Sequence, residues 1–397
     1  KTDPENKKVP TWFIGNDRYF YRDGIYSHED DGFRFFYFCR AVVEMLKSMA
    51  WKPDIMHLND WHTGFLPLLM KKEFPQIKTV YTIHNLSYHG FIPPSMLKGL
   101  ASDMELLQLG WPEWLNFMKA GILYSDKVTT VSPTYRQEIQ QPDFGSGMES
   151  YLKERQDGVT GILNGIDIES YNPSGDNIQP YPFKAGNAAQ NKKKNRRVLR
   201  QEFGLPDNDI PLIAMISRFT PEKGIDLVVK ALQRIDLDTF QLFLMGSGNA
   251  YYEGLLSDLM KNNPERVVFI PEYSLDLARR IYGASDIYLM PSRYEPCGIG
   301  QLYAMRYGAV PIVNPVGGLR DTVIDALDGD KAKDLKGANG FYMIKWSDSG
   351  LVSAMEKAIR AYHHPKWSFY VKNCMEVDSS WKNRVLEYIT IYRQLID

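Results

Sequence analysis

Glu295 is the lone carboxylate in residues 291–318, which read PSRYEPCGIGQLYAMRYGAVPIVNPVGG. The residues around it favour turns and helix starts. Gly298-Ile299-Gly300-Gln301 opens an amphipathic helix, and a short apolar run, 309–313, leads into Gly317-Gly318. A strand at 286–290 precedes the segment, so two loops leave the carboxyl ends of neighbouring parallel strands. Bare glycine backbone and helix N-termini present N–H groups to phosphate at such places. A carboxylate beside a phosphate repels it. Glu295 is better suited to holding sugar hydroxyls, or simply to capping the helix start near Gly298.

Arg218 and Lys223 follow another strand, 211–217, and can converge on one diphosphate. Arginine offers a bidentate fork and lysine a point charge. Their spacing alone also fits ordinary surface ion pairs. No Asp-x-Asp pair follows a strand; Asp328-Gly329-Asp330 has the spacing but lies in a polar loop. Cationic side chains therefore explain charge neutralisation more economically than a metal, and no metal or other cofactor is expected. His84 follows a strand and precedes Asn85-Leu86, where a histidine is often structural. Asn164 sits in Leu-Asn-Gly-Ile-Asp, a sequence that suits a turn. Tyr21, Tyr88, Trp111 and Trp114 could stack on sugar rings, although most aromatics in a chain with 13% Phe, Trp and Tyr are core.

These motifs together resemble the glycogen and starch synthases, retaining glucosyltransferases of the GT-B architecture. The resemblance is carried by Glu295-Pro296-Cys297-Gly298, Asn59-Asp60-Trp61-His62, Thr82-Ile83-His84-Asn85-Leu86, Val131-Ser132-Pro133-Thr134-Tyr135, Leu163-Asn164-Gly165-Ile166-Asp167 and Ser217-Arg218-Phe219-Thr220-Pro221-Glu222-Lys223-Gly224. It runs along nearly the whole chain. It implies that Glu295 holds donor glucose and helps stabilise an oxocarbenium-like transition state. His84 would lie near the anomeric carbon, and Arg218 and Lys223 on the diphosphate. Asn164, Gly246, Cys297, Gly298, Gly317 and Gly318 would contact the donor. Asp60 would meet acceptor or sugar hydroxyls, with Tyr21 and Tyr88 kept as stacking candidates on the acceptor side, and His57 reads as core. Asn59 stands where many members have histidine, a departure expected to matter little. Many other GT-B families carry a second glutamate eight residues after the first; here that position is Tyr303.

The expected reaction transfers glucose from ADP-glucose to the non-reducing end of an α-1,4-glucan such as glycogen, starch or a maltooligosaccharide. No second carboxylate stands out as nucleophile, so front-face substitution fits better than a covalent intermediate. The alternatives are an inactive synthase-like protein that binds nucleotide or glucan, and a GT-B transferase with a small acceptor. The family's Lys-x-Gly-Gly-Leu loop has no counterpart here, so by the resemblance the opening strands and helices of the first domain are expected to be absent, either because the chain is a fragment or because the segment has been lost.

The elements that must position these residues alternate between strand and helix. A helix over 35–49 has apolar residues at helical spacing. Strands are expected at 54–58, 79–83 and 127–131, with irregular structure and short helices over 86–124. A second strand-helix series begins after Gly204, with strands at 211–217, 241–245, 267–270, 286–290 and 309–313. Residues 171–194 read as linker and surface loop. The fold class is α/β, with two doubly wound Rossmann-like domains facing a cleft. The first covers 1–165 and is incomplete at its start; the second covers 166–380. A final helix over 381–397 is expected to cross back to the first domain.

At 397 residues and a formal net charge of -1, the chain is large enough for two domains and has no bulk charge for nucleic acid or a membrane surface. The basic run 192–197 reads as a solvated helix start. The three cysteines, Cys39, Cys297 and Cys374, have no metal-like spacing and fit a reducing compartment. A bacterial cytoplasm or a plastid is expected, with no signal peptide and no secretion.

Overall fold

The computed structural model describes residues 9–26, 28–110, 112–326 and 337–397. Trp111, Asp328, Asp330 and the opening residues 1–8 lie outside that set. The chain divides into two α/β units. The first comprises residues 1–131, 136–162 and 387–397, and the second 132–135 and 163–386.

The first unit holds helix α1 (Asp31–Ser48) and a parallel sheet. The sheet's strands are β1 (Ile55–Asn59), β2 (Lys78–Ile83), β3 (Lys127–Thr130) and β4 (Val159–Gly161), paired in that order. Helices α2 (Leu66–Glu73) and α3 (Phe117–Tyr124) cover it. A short antiparallel ribbon, Phe91–Ile92 with Leu115–Asn116, lies in the segment expected to be irregular. β2 is buried from Thr79 to Ile83, as expected of a parallel strand covered on both faces.

The second unit holds a six-stranded parallel sheet. Its first helix is α4 (Ala188–Glu202). The strands are β5 (Leu212–Ile216), β6 (Gln241–Met245), β7 (Val267–Ile270), β8 (Ile287–Met290), β9 (Val310–Val313) and β10 (Phe341–Tyr342). Their spatial order is β10-β9-β8-β5-β6-β7. Winding therefore reverses between β5 and β8, and the crevice beyond the carboxyl ends of those two strands is where such sheets bind ligands. Helices α5 (Ile225–Leu232), α6 (Leu275–Ala284), α7 (Gly300–Arg306) and α8 (Gly317–Thr322) alternate with the strands.

The last helix, α9 (Trp381–Ile396), starts among residues of the second unit, while residues from 387 group with the first. There Ile391 packs with Val80 and Ile162. Ser132–Tyr135, expected in the first domain, groups with the second unit. The reason is bonding: Ser132 Oγ donates to the Pro296 carbonyl at 2.7 Å, and the Thr134 hydroxyl to Asp321 at 2.7 Å.

Two expectations need correction. Residues 188–194 are not loop but the first turns of α4. The basic run is solvated only in part: Lys193, Lys194 and Arg197 are exposed, but Lys192 and Arg196 are buried, as is Arg200 one turn on. Lys192 Nζ donates to the carbonyls of Tyr282, Gly283 and Tyr307, at 3.2, 3.3 and 2.6 Å. One ammonium thus caps the carboxyl ends of α6 and α7, where unpaired carbonyls carry partial negative charge. Burial lowers its pKa to about 7, against the pull of Asp286. Arg196 meets Asp286 at 2.5 Å. Among the described residues no helix is long and apolar enough to cross a membrane.

Candidate active site

The carboxyl ends of β5, β6 and β8 open into a cavity of about 350 Å³. Arg218 and Lys223 reach it from the loop after β5, Gly246 from the turn after β6, and Ser292 and Glu295 from the loop after β8. The structure thus brings together four of the residues singled out in the sequence. Glu295 is buried, and its Oε2 accepts from Lys223 Nζ at 2.7 Å and from Ser292 Oγ at 3.0 Å. It is not a helix cap. Arg218 is different: its side chain is 63% exposed and meets Glu222 only at 3.9 Å. Its fork is therefore available to an incoming anion. Gly246 has φ of 140°, and a Cβ there would lie 1.9 Å from the Ser217 carbonyl oxygen, so no side chain narrows this wall.

The cavity also has aromatic walls that the sequence reading missed. Tyr273, 60% exposed, lines it together with Tyr303. Tyr303 stacks on Tyr171 with ring centroids 3.9 Å apart. The position that carries a second glutamate in other families is thus part of an aromatic wall. The available signal was Tyr273 itself, just past the end of β7 in a strand-helix series.

Cys297, Gly298, Gly317 and Gly318 do not line this cavity. Cys297 is buried, its thiol pushed up to about 12 by desolvation, with the Asn164 backbone N–H directed at the sulfur. Asn164 and Cys297 are therefore neighbours. Gly317 and Gly318 press the start of α8 onto the Glu295 loop. A Cβ on Gly317 would sit 2.0 Å from the Glu295 carbonyl oxygen, and one on Gly318 2.0 Å from that of Cys297. The Gly318 N–H donates to the carbonyls of Glu295 and Pro296, at 3.2 and 3.1 Å. Here these glycines support the loop by close approach.

Both flanks of Glu295 are also held by Ser132–Tyr135. Ser132 takes the Pro296 carbonyl, and the Tyr135 hydroxyl bonds the Tyr294 hydroxyl. This connection joins residues far apart in sequence, and the motif gave no sign of it.

In the first unit, Asp60 and His84 meet at the ends of β1 and β2. Asp60 adopts φ of 56°, a strained conformation for a non-glycine residue. Its Oδ1 accepts the backbone N–H groups of His84 and Asn85, at 2.8 and 3.2 Å. Burial raises the Asp60 pKa, and the nearby His84 ring and these two N–H groups oppose the rise. His84 Nε2 lies 2.9 Å from Asn59 Oδ1. The departure expected to matter little therefore contacts the histidine ring directly. His57 bonds Tyr392 and Thr82, each at 2.6 Å, and burial lowers its pKa to about 4. Burial does the same to His62, whose ring packs on Trp61 with centroids 4.2 Å apart. Tyr88 is half exposed on the turn after His84, and Tyr21 is 88% exposed. No hydrogen bond among the described residues joins Tyr21 to Asp60 or His84. Among those residues, no group of three or more His, Cys, Asp or Glu side chains could hold a metal ion.

Comparison with known proteins shows the family and the fold. Residues 2–154 match the family described as the starch synthase catalytic domain, and residues 195–339 match glycosyl transferases group 1. A glycogen synthase of Desulforudis audaxviator is 38% identical over 405 residues, spanning 98% of this chain and 79% of that protein. One from Streptococcus equi subsp. zooepidemicus is 40% identical over 402 residues, spanning 98% and 83%. Among solved structures, the catalytic domain of starch synthase IV from Arabidopsis thaliana, bound to ADP and acarbose, superposes with a TM-score of 0.88 at 33% identity. The match covers 96% of this chain and 80% of that one. A sucrose-phosphate synthase from Thermosynechococcus elongatus, at 20% identity and a TM-score of 0.62, shares the fold. The α/β GT-B fold class expected from the sequence is thus found.

Proposed function

The chain belongs to the glycogen and starch synthase family of hexosyltransferases, and we propose that it transfers glucose from ADP-glucose to the non-reducing end of an α-1,4-glucan with retention. The observation that carries the reading is the convergence of Arg218, Lys223 and Glu295 on one cavity at the switch point of a parallel sheet. A diphosphate entering there meets an available guanidinium and an ammonium already ordered by Glu295. Both charges can stabilise the leaving phosphate as its negative charge grows. We infer that they serve in place of a metal. Tyr273 offers an exposed ring face for a nucleobase.

Glu295 faces the donor glucose in this reading. Its carboxylate compensates positive charge that develops on the sugar ring as the glycosidic bond to phosphate breaks. Lys223 keeps that carboxylate oriented. The leaving phosphate oxygen then takes the acceptor hydroxyl's proton as the new bond forms on the same face. His84, with its backbone fixed by Asp60, contributes a ring nitrogen to a donor-glucose hydroxyl. Asn164 contributes its side-chain amide. ADP and acarbose in the Arabidopsis structure support an adenine nucleotide and an oligosaccharide as the ligands here. The three cysteines are unpaired and buried, which supports a reducing compartment.

A binding protein without activity and a transferase with a small acceptor are not favoured, because the relatives that match along the chain are glycogen synthases. The test is incorporation of labelled glucose into glycogen from ADP-glucose and, separately, UDP-glucose. Preference for UDP-glucose would overturn the donor assignment. No incorporation from either donor, in a folded sample that binds ADP, would overturn the transfer itself.

A further inference from the structure

Asn59 ends β1 and His84 directly follows β2, and the two strands pair in parallel with Asn59 opposite Thr82. That register brings two successive residues of one strand end against the other. Asp60 takes the backbone of His84 through its carboxylate. Asn59 takes the ring, with Oδ1 at 2.9 Å from Nε2. The division of labour is specific: one residue fixes where the histidine starts, the other fixes how its ring is turned. Asn59 is exposed, and Thr63 Oγ1 bonds only its backbone carbonyl, so its side chain has no part in that turn.

We propose that Asn59 is a positioning residue that sets the tautomer of His84. An amide oxygen accepts, so the neutral imidazole carries its proton on Nε2. Nδ1, which has no hydrogen-bond partner among the described residues, is left as the acceptor for a sugar hydroxyl. A neutral histidine has one donor and one acceptor nitrogen, and the bond made by one decides what the other can do. If the proton sat on Nδ1, that nitrogen would instead need an acceptor on the sugar. Asn59 thus acts on the reaction through His84 and need not touch substrate. The proposal rests on the reading that places His84 at the donor glucose.

The test uses the whole chain with 15N-labelled histidine, at a pH where imidazole is neutral, with His84 assigned by loss of its signal in His84→Gln. Wild type should show the Nε2–H form. Asn59→Leu, similar in size but without an acceptor, should shift His84 toward the Nδ1–H form, and Asn59→Asp should keep Nε2–H. Asn59→Leu should also lower kcat by about tenfold, the rate equivalent of one hydrogen bond, with a much smaller change in donor KM. An unchanged tautomer in Asn59→Leu overturns the proposal, and so does a changed tautomer with unchanged kcat. Full activity of His84→Gln would instead overturn the placement of His84 at the donor, a result independent of the spectra.

Discussion

Lys223 Nζ lies 2.7 Å from Glu295 Oε2, an ion pair with the carboxylate side chain 8% exposed and the lysine 20%. The cation assigned to the leaving phosphate and the carboxylate assigned to the sugar are thus a single unit before any ligand binds. This resolves an apparent conflict, because a lone carboxylate beside a diphosphate would repel it. Paired with Lys223 and flanked by Arg218, Glu295 sits in a site that anions can enter.

Glu295→Gln keeps the shape and an acceptor for Ser292 but removes the charge. The chain should fold, and glucose transfer should fall by roughly two orders of magnitude or more, as when a preorganised electrostatic group is removed. A glucan-elongation assay beside circular dichroism checks both halves. Wild-type turnover in the variant would remove Glu295 from the transition state.

Lys223→Met leaves a buried carboxylate without its cation. We expect a loss of about 2 kcal/mol in unfolding free energy, below the range for a fully buried pair because Lys223 is partly exposed. The double variant Lys223→Met/Glu295→Gln should recover most of that stability while staying inactive. Denaturant titration of the three variants reads the coupling directly. Losses that simply add in the double variant would show that the pair contributes nothing to the fold.

Transfer should continue in excess EDTA if Arg218 and Lys223 meet the diphosphate charge. The measurement is initial rate with and without chelator, followed by Mg²⁺ or Mn²⁺ add-back. Loss of activity that either ion restores would assign that role to a metal.

The strands were legible because they are buried on both faces and read as apolar runs; β6 and β7 fall where expected, to the residue. β4 and β10 were not, since segments of two or three residues carry no periodicity. Arg218, Lys223 and Glu295 were legible because each follows a strand. Gly317 and Gly318 show the limit of that logic. Bare backbone that can cradle a phosphate is equally suited to cradling another loop, and here Gly318 spends its N–H on Glu295 and Pro296. Lys192 could not be read as buried, because the three carbonyls that hold it lie about 90 or more residues away.

Acid should destabilise the first unit through its histidines. Burial lowers His57 and His62 from 6.5 to about 4, so each is neutral when folded in a range where the unfolded chain binds a proton. Stability is therefore full above pH 6.5 and falls as pH drops toward about 4, below which this contribution levels off. Thermal unfolding across that range checks the sign. His57→Gln should flatten the slope while retaining polar contact with Tyr392 and Thr82. An unaltered slope would assign the acid sensitivity to other groups.

Tyr135 and Tyr294 give the sharpest test of how the Glu295 loop is held. Their hydroxyls are bonded and their rings meet edge to face, with centroids 5.4 Å apart. Tyr294 immediately precedes Glu295, and Tyr135 is fully buried. Phenylalanine at either position keeps the ring contact and deletes one hydroxyl, and with it this hydrogen bond. Each single variant should lower kcat by roughly fivefold to tenfold, one hydrogen bond's worth, because the carboxylate loses its fixed position. ADP affinity should change little, since neither ring lines the cavity that holds Arg218 and Lys223. The double variant should be no worse than either single one, because the interaction is already gone after the first substitution. Calorimetric titration with ADP and elongation kinetics on the four proteins complete the cycle. Additive losses in kcat would show that the two hydroxyls act separately and that their mutual bond does not hold the loop.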